Sequence, residues 1–463
     1  MRNIFYDYET SGFSRSFDQV FSFGAVVTDE NFNLIEDPIE LHCRPRPDIL
    51  PSPKAMLVNR LDLEMLASNG LTEYEFARRI HDVFTKETNT CIFGYNSKKF
   101  DDSFTEFLFY RNLLPPYEWR FRNGNSSADL IELFRFAHSF GRLGGLSCLD
   151  ENNRLSFKLE DLAKRNLTNI SIAHDALSDA MTTQRLCKEL KSSSTKLFEF
   201  GLGMRSFNRA SEELVKRKQF FHSDVCYGAE KNNLALLTLI AKHPLIPKRV
   251  IAWRLDKDPR EVIVLSIDDL KADRNLRFDA GFVELKVNRG PMIVAYNEAF
   301  NSQLIGFDHA EVNFQLVTEN LESLREIASQ VYSSSYSPSE DVDNALYDSS
   351  FFNEFDANQR YISDFHEAPN SFNLGKFTNS RFTKLGLRIR ARNMPEHLTE
   401  TQKVRFKQFV ADRLSSENSL GWRTAKEFYE EIAEIKEREN IASDDLEIID
   451  KLCDYAKTIL PQS

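Results

Sequence analysis

The feature that most constrains this chain is the N-terminal stretch Ile4–Thr10, in which two acidic residues interrupt an apolar run. Its β-branched and aromatic residues favour a buried strand, on which the side chains of Asp7 and Glu9 point to the same face. Two like charges side by side in a core are unfavourable unless a cation lies between them. Divalent metal ions bind carboxylate oxygens, so the pattern predicts a metal site on a core strand. The alternative is an exposed edge strand with two hydrated acids.

Length and composition limit the classes of protein to consider. A chain of 463 residues is too long for one core and favours about two to four domains. The net charge of −11 argues against a general polyanion binder but allows a local basic groove. The six cysteines contain no C-x-x-C pair, which is typical of free thiols in a reducing compartment. Because the sequence contains no signal sequence and no apolar run of membrane length, we expect a cytoplasmic protein without membrane contact.

The order of strand and helix signals divides the chain into three predicted domains. Residues 1–193 alternate strands with helices, which indicates an α/β domain. Residues 194–345 carry short β-runs separated by turn signals, which predict a small β-barrel with a few helices. Residues 351–463 have a helical pattern. Ser333–Ser350 is rich in Ser, Asp and Tyr without periodicity, and is predicted to be a linker.

Individual elements follow from the same patterns. After the opening strand, the predicted strands are Val20–Thr28, Leu34–Cys43, Cys91–Tyr95, Ala235–Ile240, Val250–Arg254, Val262–Ser266, Val283–Val287 and Met292–Tyr296. The predicted helices are Thr72–Thr85 with Thr72 as N-cap, Ser103–Leu113, Leu130–Phe140, Leu159–Arg165, Asp175–Ser192, Val404–Leu414, Thr424–Arg438 and Leu446–Ile459.

Further acids occur where predicted elements begin. Asp101 follows a predicted strand at the start of the next helix, and on its own this position fits an N-cap worth about 1 kcal/mol. Its neighbour Asp102 is expected to point elsewhere. Asp175 is a predicted N-cap, which places His174 just before the helix and Asp179 in its first or second turn. An imidazole and a carboxylate can then converge; the alternative is a surface histidine beside an acidic helix start.

Together these residues form a coherent set for phosphoryl chemistry. Two metal ions about 3.5–4 Å apart can hold the attacking and leaving oxygens of an in-line displacement, and three or four carboxylates are needed to bind them. A histidine with a pKa of about 6.5 suits a general base that deprotonates the attacking water at neutral pH. The sequence therefore predicts metal binding by the four acids, with catalysis by the same acids and the histidine: Asp7, Glu9, Asp101, Asp179 and His174.

The motifs Asp7-x-Glu9, Asp101 and His174-x4-Asp179 resemble the DEDDh pattern of 3′–5′ exonucleases. Longer segments resemble the bacterial exodeoxyribonuclease I family. These segments are Phe5–Thr10, Gly94–Asn96 with Phe100–Asp102, Ser156–Glu160, Ala173–Ala176, and Arg390–Asn393 with Pro395. Because they occur in order from the N-terminal strand to the C-terminal part, the resemblance extends over nearly the whole chain.

The resemblance implies a ribonuclease H-like exonuclease domain, an SH3-like barrel and a helical C-terminal domain around a groove for single-stranded DNA. It implies two Mg²⁺ ions, with Mn²⁺ as a substitute. Glu9 and Lys158 would contact substrate, and the acidic tail of single-stranded DNA-binding protein would be a partner of this chain, expected to be a monomer. The Thr-Gly-Ile of such nucleases is not present here, and the corresponding segment is Asn59-Arg60-Leu61.

Other candidates for DNA contact follow from the chemistry of single strands, which requires cations for phosphates and aromatic faces for bases. Tyr117 and Phe121 stand beside charged residues of the first domain. The full set of candidates there is Tyr117, Trp119, Phe121, Arg122, Arg135 and Arg142. For the aromatic residues the alternative is core packing.

A basic stretch, Arg381–Lys407, reverses the overall sign of the charge. Arg388, Arg390 and Arg392 alternate, so on an extended segment they would share one face. This face could line the DNA path or receive an acidic protein tail. It could also pair with acids across a domain interface, or simply be solvated.

We therefore expect a magnesium-dependent exonuclease that degrades single-stranded DNA from its 3′ end and releases 5′-mononucleotides, in DNA repair or recombination. Two alternatives are an RNA-trimming exonuclease of the same fold and a catalytically silent scaffold that binds single strands. The presence of all four acids and the histidine argues against the scaffold.

Overall fold

A computed structural model of the protein describes residues 2–168, 175–296, 309–333, 338–348, 350–417, 419–437 and 441–460. The chain forms two compact units. The first unit comprises Met1–Asn125, Ser171–Met181 and Ser337–Ser463, and the second comprises Ser126–Ile170 and Thr182–Tyr336. The three-domain division with its boundaries stays a prediction.

The helices and strands are as follows in chain order. Residues 2–125 contain β1 (Arg2–Thr10), β2 (Val20–Thr28), β3 (Ile39–His42), α1 (Pro53–Asn59), α2 (Leu63–Asn69), α3 (Glu73–Thr85), β4 (Thr90–Gly94) and α4 (Asp101–Arg111). Next come β5 (Ser126–Asp129), α5 (Leu130–Ser139), α6 (Leu159–Asn166) and α7 (Ala176–Ser193). Then follow α8 (Thr195–Gly203), α9 (Phe207–Lys216), β6 (Gln219–Ser223), β7 (Leu234–Lys242), β8 (Arg249–Arg254), α10 (Arg260–Ile263), α11 (Ile267–Ala272), α12 (Arg274–Ala280), β9 (Phe282–Lys286), β10 (Ile293–Ala295), α13 (Ala310–Glu319) and α14 (Leu321–Val331). The C-terminal part contains α15 (Phe351–Glu367), α16 (Ser380–Asn393), α17 (Glu400–Ser415), α18 (Ala425–Lys436) and α19 (Ser443–Ile459).

The sheet of the first unit is built around β1. Within it the strand order is β3-β2-β1-β4, with β1 antiparallel to β2 and parallel to β4. Because β1 has a partner on each side, the edge-strand alternative is excluded. Tyr6 and Tyr8 pack into the core with Phe23 and Phe84, while Asp7 and Glu9 lie half-buried on the opposite face. The predicted core strand with two acids on one face is therefore confirmed.

Local signals located most of the other elements of the first unit. Thr72 caps α3 with a reciprocal capping box in which Glu75 is the partner, as the N-cap prediction required. The two short helices α1 and α2 were not predicted, because the proline-rich segment before them favours extended backbone. Pro53 occupies the start of α1, where a missing N–H costs nothing, and Ser52 caps it.

The predicted linker Ser333–Ser350 is wrong in its described part. Residues 342–347 form a short 3₁₀ helix whose Val342 and Leu346 pack in a hydrophobic core with α15 and α16. Asp343 in the same segment has no exposed surface. A polar composition therefore concealed a packed and charge-paired segment, whose partners are far away in sequence.

The second unit contains a five-stranded antiparallel sheet of order β10-β6-β7-β8-β9. Phe220, Leu237 and Ile293 lie in its core. The prediction of a strand at Val262–Ser266 is wrong. Val262 belongs to the short helix α10, and Val264, just after this helix, is exposed. Strand β6 was not predicted.

In the described part of the chain, no helix combines the length and the apolarity needed to cross a membrane; cytoplasmic location stays a prediction.

Candidate active site

Three carboxylates of the first unit meet at one point. Asp7, Glu9 and Asp179 each offer one oxygen, and these three oxygens lie within 4.8 Å of one another. Asp7 and Glu9 project from the same face of β1, and Asp179 from the first turn of α7. We call these three residues the carboxylate cluster.

The first turn of α7 is held by Asp175. The Asp175 Oδ1 atom accepts a hydrogen bond of 2.9 Å from the backbone N–H of Ser178, which confirms the predicted N-cap. The backbone N–H of Asp179 donates to the carbonyl oxygen of Asp175 at 3.0 Å. The cap therefore fixes the turn that carries Asp179. His174 lies outside the described residues.

Asp101 is the buried first residue of α4, so it is inside the helix and not its cap. The capping position belongs to Phe100, which forms no side-chain capping bond, so the capping alternative is wrong. Asp102 points elsewhere as expected, since its Oδ1 atom accepts a 2.9 Å hydrogen bond from the hydroxyl of Tyr6. Tyr6 is on the face of β1 opposite to Asp7.

The acids perturb one another strongly. Burial raises the pKa of Asp7 well above its usual range, and the charges of Asp101, Asp179 and Glu9 raise it further. Burial raises the pKa of Glu9 to about 8, with additional effects from Asp179 and Asp101. Asp101 therefore acts electrostatically on the cluster. Converging carboxylate oxygens that repel one another fit a hard divalent cation, which would relieve the repulsion.

The predicted substrate contacts are divided between the two units. In the first unit, Phe121 is 62% exposed, but the ring of Tyr117 stacks on Phe352 with centroids 5.4 Å apart. Tyr117 is partly buried and packs against a hydrophobic core, whereas Phe121 does not; DNA contact by either residue stays a prediction.

In the second unit, Lys158 and Arg142 are exposed. The guanidinium carbon of Arg135 lies 5.6 Å from the ring centroid of Phe157, a cation–π contact within the unit. DNA contact by these residues stays a prediction.

The prediction that these arginines share one face of an extended segment is wrong, because Arg388, Arg390 and Arg392 belong to helix α16. Arg388 donates to both carboxylate oxygens of Asp341, at 2.6 and 3.0 Å. Arg390 donates to backbone oxygens, one of them that of Pro369 at 2.6 Å. Both guanidinium groups therefore form hydrogen bonds within the protein.

Arg392 belongs to a buried network that sequence reasoning did not locate. It contacts Asp48 at 2.7 Å and Asp343 at 2.5 Å, and Arg413 pairs with the same two carboxylates. We call Arg388, Arg392 and Arg413 with their three acids, Asp48, Asp341 and Asp343, the arginine network. It joins the N-terminal and C-terminal parts of the first unit. The alternative that the basic stretch pairs with distant acids is therefore confirmed for Arg392, whereas a domain interface at this place stays a prediction.

Burial alone would raise the pKa of Asp48 and Asp343, but the arginines hold both values below their usual range. Asp48 and Arg392 are separated by 344 residues in sequence. No local pattern could therefore have paired them.

Models of known families match three consecutive parts of the chain. A model described as Exonuclease matches residues 4–187, one described as Exonuclease I SH3-like domain matches residues 208–334, and one described as Exonuclease I C-terminal domain matches residues 340–459. The expected fold class, an exonuclease domain followed by an SH3-like domain and a helical C-terminal domain, is thereby confirmed.

Curated relatives and solved structures agree with these matches. The exodeoxyribonuclease I of Escherichia coli (strain K12) is 31% identical over 423 residues, which covers 87% of this chain and 88% of that protein. A zinc-ion-bound structure of the E. coli exonuclease I–single-stranded DNA complex has a TM-score of 0.88 at 28% identity and covers 99% of both chains. A structure of SSB/exonuclease I in complex with the inhibitor CFAM has a TM-score of 0.86 at 28% identity, again covering 99% of both chains.

Proposed function

This chain belongs to the exodeoxyribonuclease I family, and from that premise we propose that it removes nucleotides from single-stranded DNA in the 3′ to 5′ direction and releases 5′-mononucleotides. The observation that carries the proposal is the carboxylate cluster with Asp101 close by, a set of oxygen ligands suited to phosphoryl transfer. The relative bound to single-stranded DNA supports the substrate class.

We infer that Asp7, Glu9, Asp101 and Asp179 would hold two divalent cations, Mg²⁺ with Mn²⁺ as a substitute. When bound, these cations would neutralise the carboxylates and stabilise the charge that develops on the phosphate. Oxygen-only ligands and mutual repulsion of the acids support this assignment. A zinc-bound relative supports dependence on a divalent metal.

The fold supplies the preorganisation that such chemistry requires. Asp7 and Glu9 lie on a strand with partners on both sides, and the Asp175 cap fixes the turn of Asp179. Because these elements are packed in the core, we infer that the carboxylates would keep their places when substrate arrives, without reorganisation at the moment of reaction.

We infer that His174 is the general base, on the basis of its position one residue before the cap of α7 and of the family resemblance. Its imidazole would take a proton from the attacking water. The water oxygen would then form a bond to phosphorus, and the bond to the 3′ oxygen of the preceding nucleotide would break. The leaving 3′ oxygen would take up a proton from solvent water, and the imidazolium would later return its proton to solvent. The products are a 5′-mononucleotide and a strand shorter by one residue with a free 3′ hydroxyl.

One experiment tests the reaction and its substrate. Single-stranded DNA, duplex DNA and RNA, each labelled at the 5′ end, are incubated with Mg²⁺ or with a chelator. We expect a ladder of shortening products from single-stranded DNA only, lost on chelation. A 3′-terminal phosphate should protect the strand, and a circular strand should be resistant. Equal degradation of RNA would favour the RNA-trimming alternative, and no degradation of any substrate would favour the scaffold.

We infer that the acidic tail of single-stranded DNA-binding protein (SSB) is a partner of this chain. The two proteins would act in DNA repair or recombination in the cytoplasm, and this chain would act as a monomer. The relative solved with SSB supports the interaction. Arg388, Arg390 and Arg392 are poor candidates for the receptor, since their guanidinium groups are bonded within the first unit. Pull-down with a peptide ending in the acidic tail, and loss of binding when its acids are removed, tests this partner.

A further inference from the structure

We propose that a cavity lined by residues close in sequence to Glu9 and Asp101 binds a phosphate and the adjoining base of the substrate strand, on the 5′ side of the nucleotide that is removed. The inference rests on the proposed function. The cavity lies within the first unit and has a volume of about 430 Å³, within the range of about 300–1,000 Å³ that is typical of small-molecule sites. Its lining includes Phe13, Arg15, Lys99, Phe100, Ser103 and Asn344.

Two walls of the cavity come from the segments that carry the site acids. Phe13 and Arg15 follow shortly after Glu9 at the end of β1, and Lys99 and Phe100 immediately precede Asp101. On the path that we propose, a strand whose 3′ end reaches the cluster continues past these segments in its 5′ direction. On this path, the cavity receives the next nucleotides of the substrate.

Arg15 supplies the group that would recognise a phosphate. It is exposed, and among the described residues it has no ion-pair partner. Its guanidinium carbon lies 5.3 Å from the ring centroid of Tyr347 and 5.9 Å from that of Phe107, so two cation–π contacts hold it. A planar guanidinium held in this way can donate two parallel hydrogen bonds to a phosphate with little further loss of entropy.

The backbone beside Arg15 is also fixed. The carbonyl oxygen of Ser16 accepts a hydrogen bond of 3.0 Å from Arg111, whose guanidinium also pairs with the buried Glu73 at 2.9 Å. The Tyr347 hydroxyl donates to Glu106 at 2.7 Å, which fixes the ring beneath the guanidinium. The phosphate-binding group is therefore preorganised before any strand arrives.

The remaining lining is suited to an anion. Lys99 is exposed at the cavity, and Ser103 and Asn344 add a hydroxyl and an amide. None of the described residues that line this cavity is acidic. In a chain of net charge −11, a second cavity of about 330 Å³ provides the contrast, because its lining includes Asp62, Asp444 and Glu447.

Phe13 adds an aromatic face for a base. It is 81% exposed, although an apolar ring of this size is usually buried. Its centroid lies 6.1 Å from that of Phe100 in an edge-on arrangement. An exposed ring next to a cation is the combination used for single strands, since bases stack on the ring whatever their sequence.

The test compares substrates that reach the cavity with those that do not. Kinetics of wild type and Arg15→Gln are measured on a long single-stranded oligonucleotide and on a dinucleotide. On the long substrate we expect KM to rise about tenfold, the effect of losing one charged hydrogen-bonded contact, while kcat is unchanged. The salt dependence of binding should fall by about 0.7 in log–log slope. On the dinucleotide both constants should remain those of wild type.

Arg79→Gln is the matched control, because it removes an exposed cation from α3 without touching the cavity. It should leave KM and the salt slope unchanged. Thermal melting of both variants checks that the fold is intact. Arg15→Lys keeps the positive charge but cannot donate two parallel hydrogen bonds. Its KM for the long substrate should therefore lie between the values of wild type and Arg15→Gln.

Three results would overturn the proposal. One is an unchanged KM of Arg15→Gln for every substrate length, in an enzyme that degrades single-stranded DNA. Another is a changed inhibition constant for the 5′-mononucleotide product with an unchanged KM for the long strand, which would assign the cavity to product. If wild type degrades no single-stranded DNA, the proposed function fails, and the cavity is then tested by binding alone. Fluorescence anisotropy of a labelled strand is measured in the presence of chelator. Equal affinities of wild type and Arg15→Gln for the strand would exclude a role of the cavity in DNA binding.

Discussion

Gly24 of β2 lies directly opposite Asp7 of β1 in the antiparallel register, and the start of α7 packs against it. A Cβ atom added at Gly24 would lie 2.2 Å from the carbonyl carbon of Ala176 and 2.2 Å from the backbone nitrogen of Leu177. Only a hydrogen atom fits this space. Because α7 carries Asp179, the absence of a side chain at Gly24 sets the distance between the two elements that bear the carboxylate cluster.

The first prediction follows from this contact. Gly24→Ala should push the start of α7 away from β1 and weaken metal binding about tenfold, which corresponds to roughly 1.4 kcal/mol. Titration calorimetry with Mn²⁺ on the nuclease without substrate measures this effect independently of turnover. Gly24→Val should weaken binding further, because its side chain is larger.

Gly70→Ala provides a matched control for this prediction. A Cβ at Gly70 would also meet backbone, at 2.4 Å from the oxygen of Leu66, but Gly70 follows α2 and not a site element. It should lower the melting temperature and leave metal affinity unchanged. Equal metal affinities of wild type and Gly24→Ala would exclude the positioning role of Gly24.

The second prediction compares Asp179, an acid of the carboxylate cluster, with Asp102, an acid outside the cluster. Asp179→Asn should abolish cleavage and leave binding of single-stranded DNA largely intact, because its carboxylate belongs to the cluster. Asp102→Asn should retain cleavage and lower stability, since Asp102 is bonded to the buried hydroxyl of Tyr6. End-labelled degradation assays and thermal melts of both variants measure this. Appreciable turnover by Asp179→Asn would contradict the assignment.

The third prediction concerns His174. His174→Ala should slow cleavage by roughly 10²–10⁴-fold, the usual contribution of a general base, without changing metal affinity. Activity should recover partly at high pH, because hydroxide replaces the missing base. Pre-steady-state rates across pH and a parallel Mn²⁺ titration measure the two effects. A wild-type rate in the variant would leave His174 without a catalytic role.

Local patterns were sufficient for part of this site. Alternation along β1 predicted that Asp7 and Glu9 share a face, and the position of Asp175 predicted the cap that places Asp179. Both inferences depend on residues a few positions apart, for which backbone geometry decides the outcome.

Distant partners decide what the sequence could not show. The basic stretch that includes Arg392 has a local composition suited to DNA, and only the fold brings it to Asp48 and Asp343. Gly24 is equally unpredictable from its neighbours, because its significance depends on the start of α7. Tertiary contacts of this kind leave no periodic signal along the chain.

The last prediction concerns acid stability. Burial by itself would raise the pKa of Asp48 and of Asp343, but the arginines hold both below their unfolded values. The stabilisation by these carboxylates is therefore complete above the unfolded pKa of about 3.9 and is lost as the pH falls through the folded values. Melting temperature should be insensitive to these two groups between pH 7 and 5 and should fall steeply below about pH 4.

Asp343→Asn tests the origin of this dependence. Removing one partner of a buried pair leaves guanidinium charges uncompensated, so the variant should lose about 3–5 kcal/mol of stability at pH 7. Its melting temperature should also fall less steeply with acid than that of wild type, since one of the titrating groups is gone. Glu434→Gln removes an exposed partner of Lys54 and should change neither quantity, because exposed ion pairs contribute little. A melting temperature of Asp343→Asn equal to that of wild type at pH 7 would show that the arginine network does not hold the two parts of the first unit together.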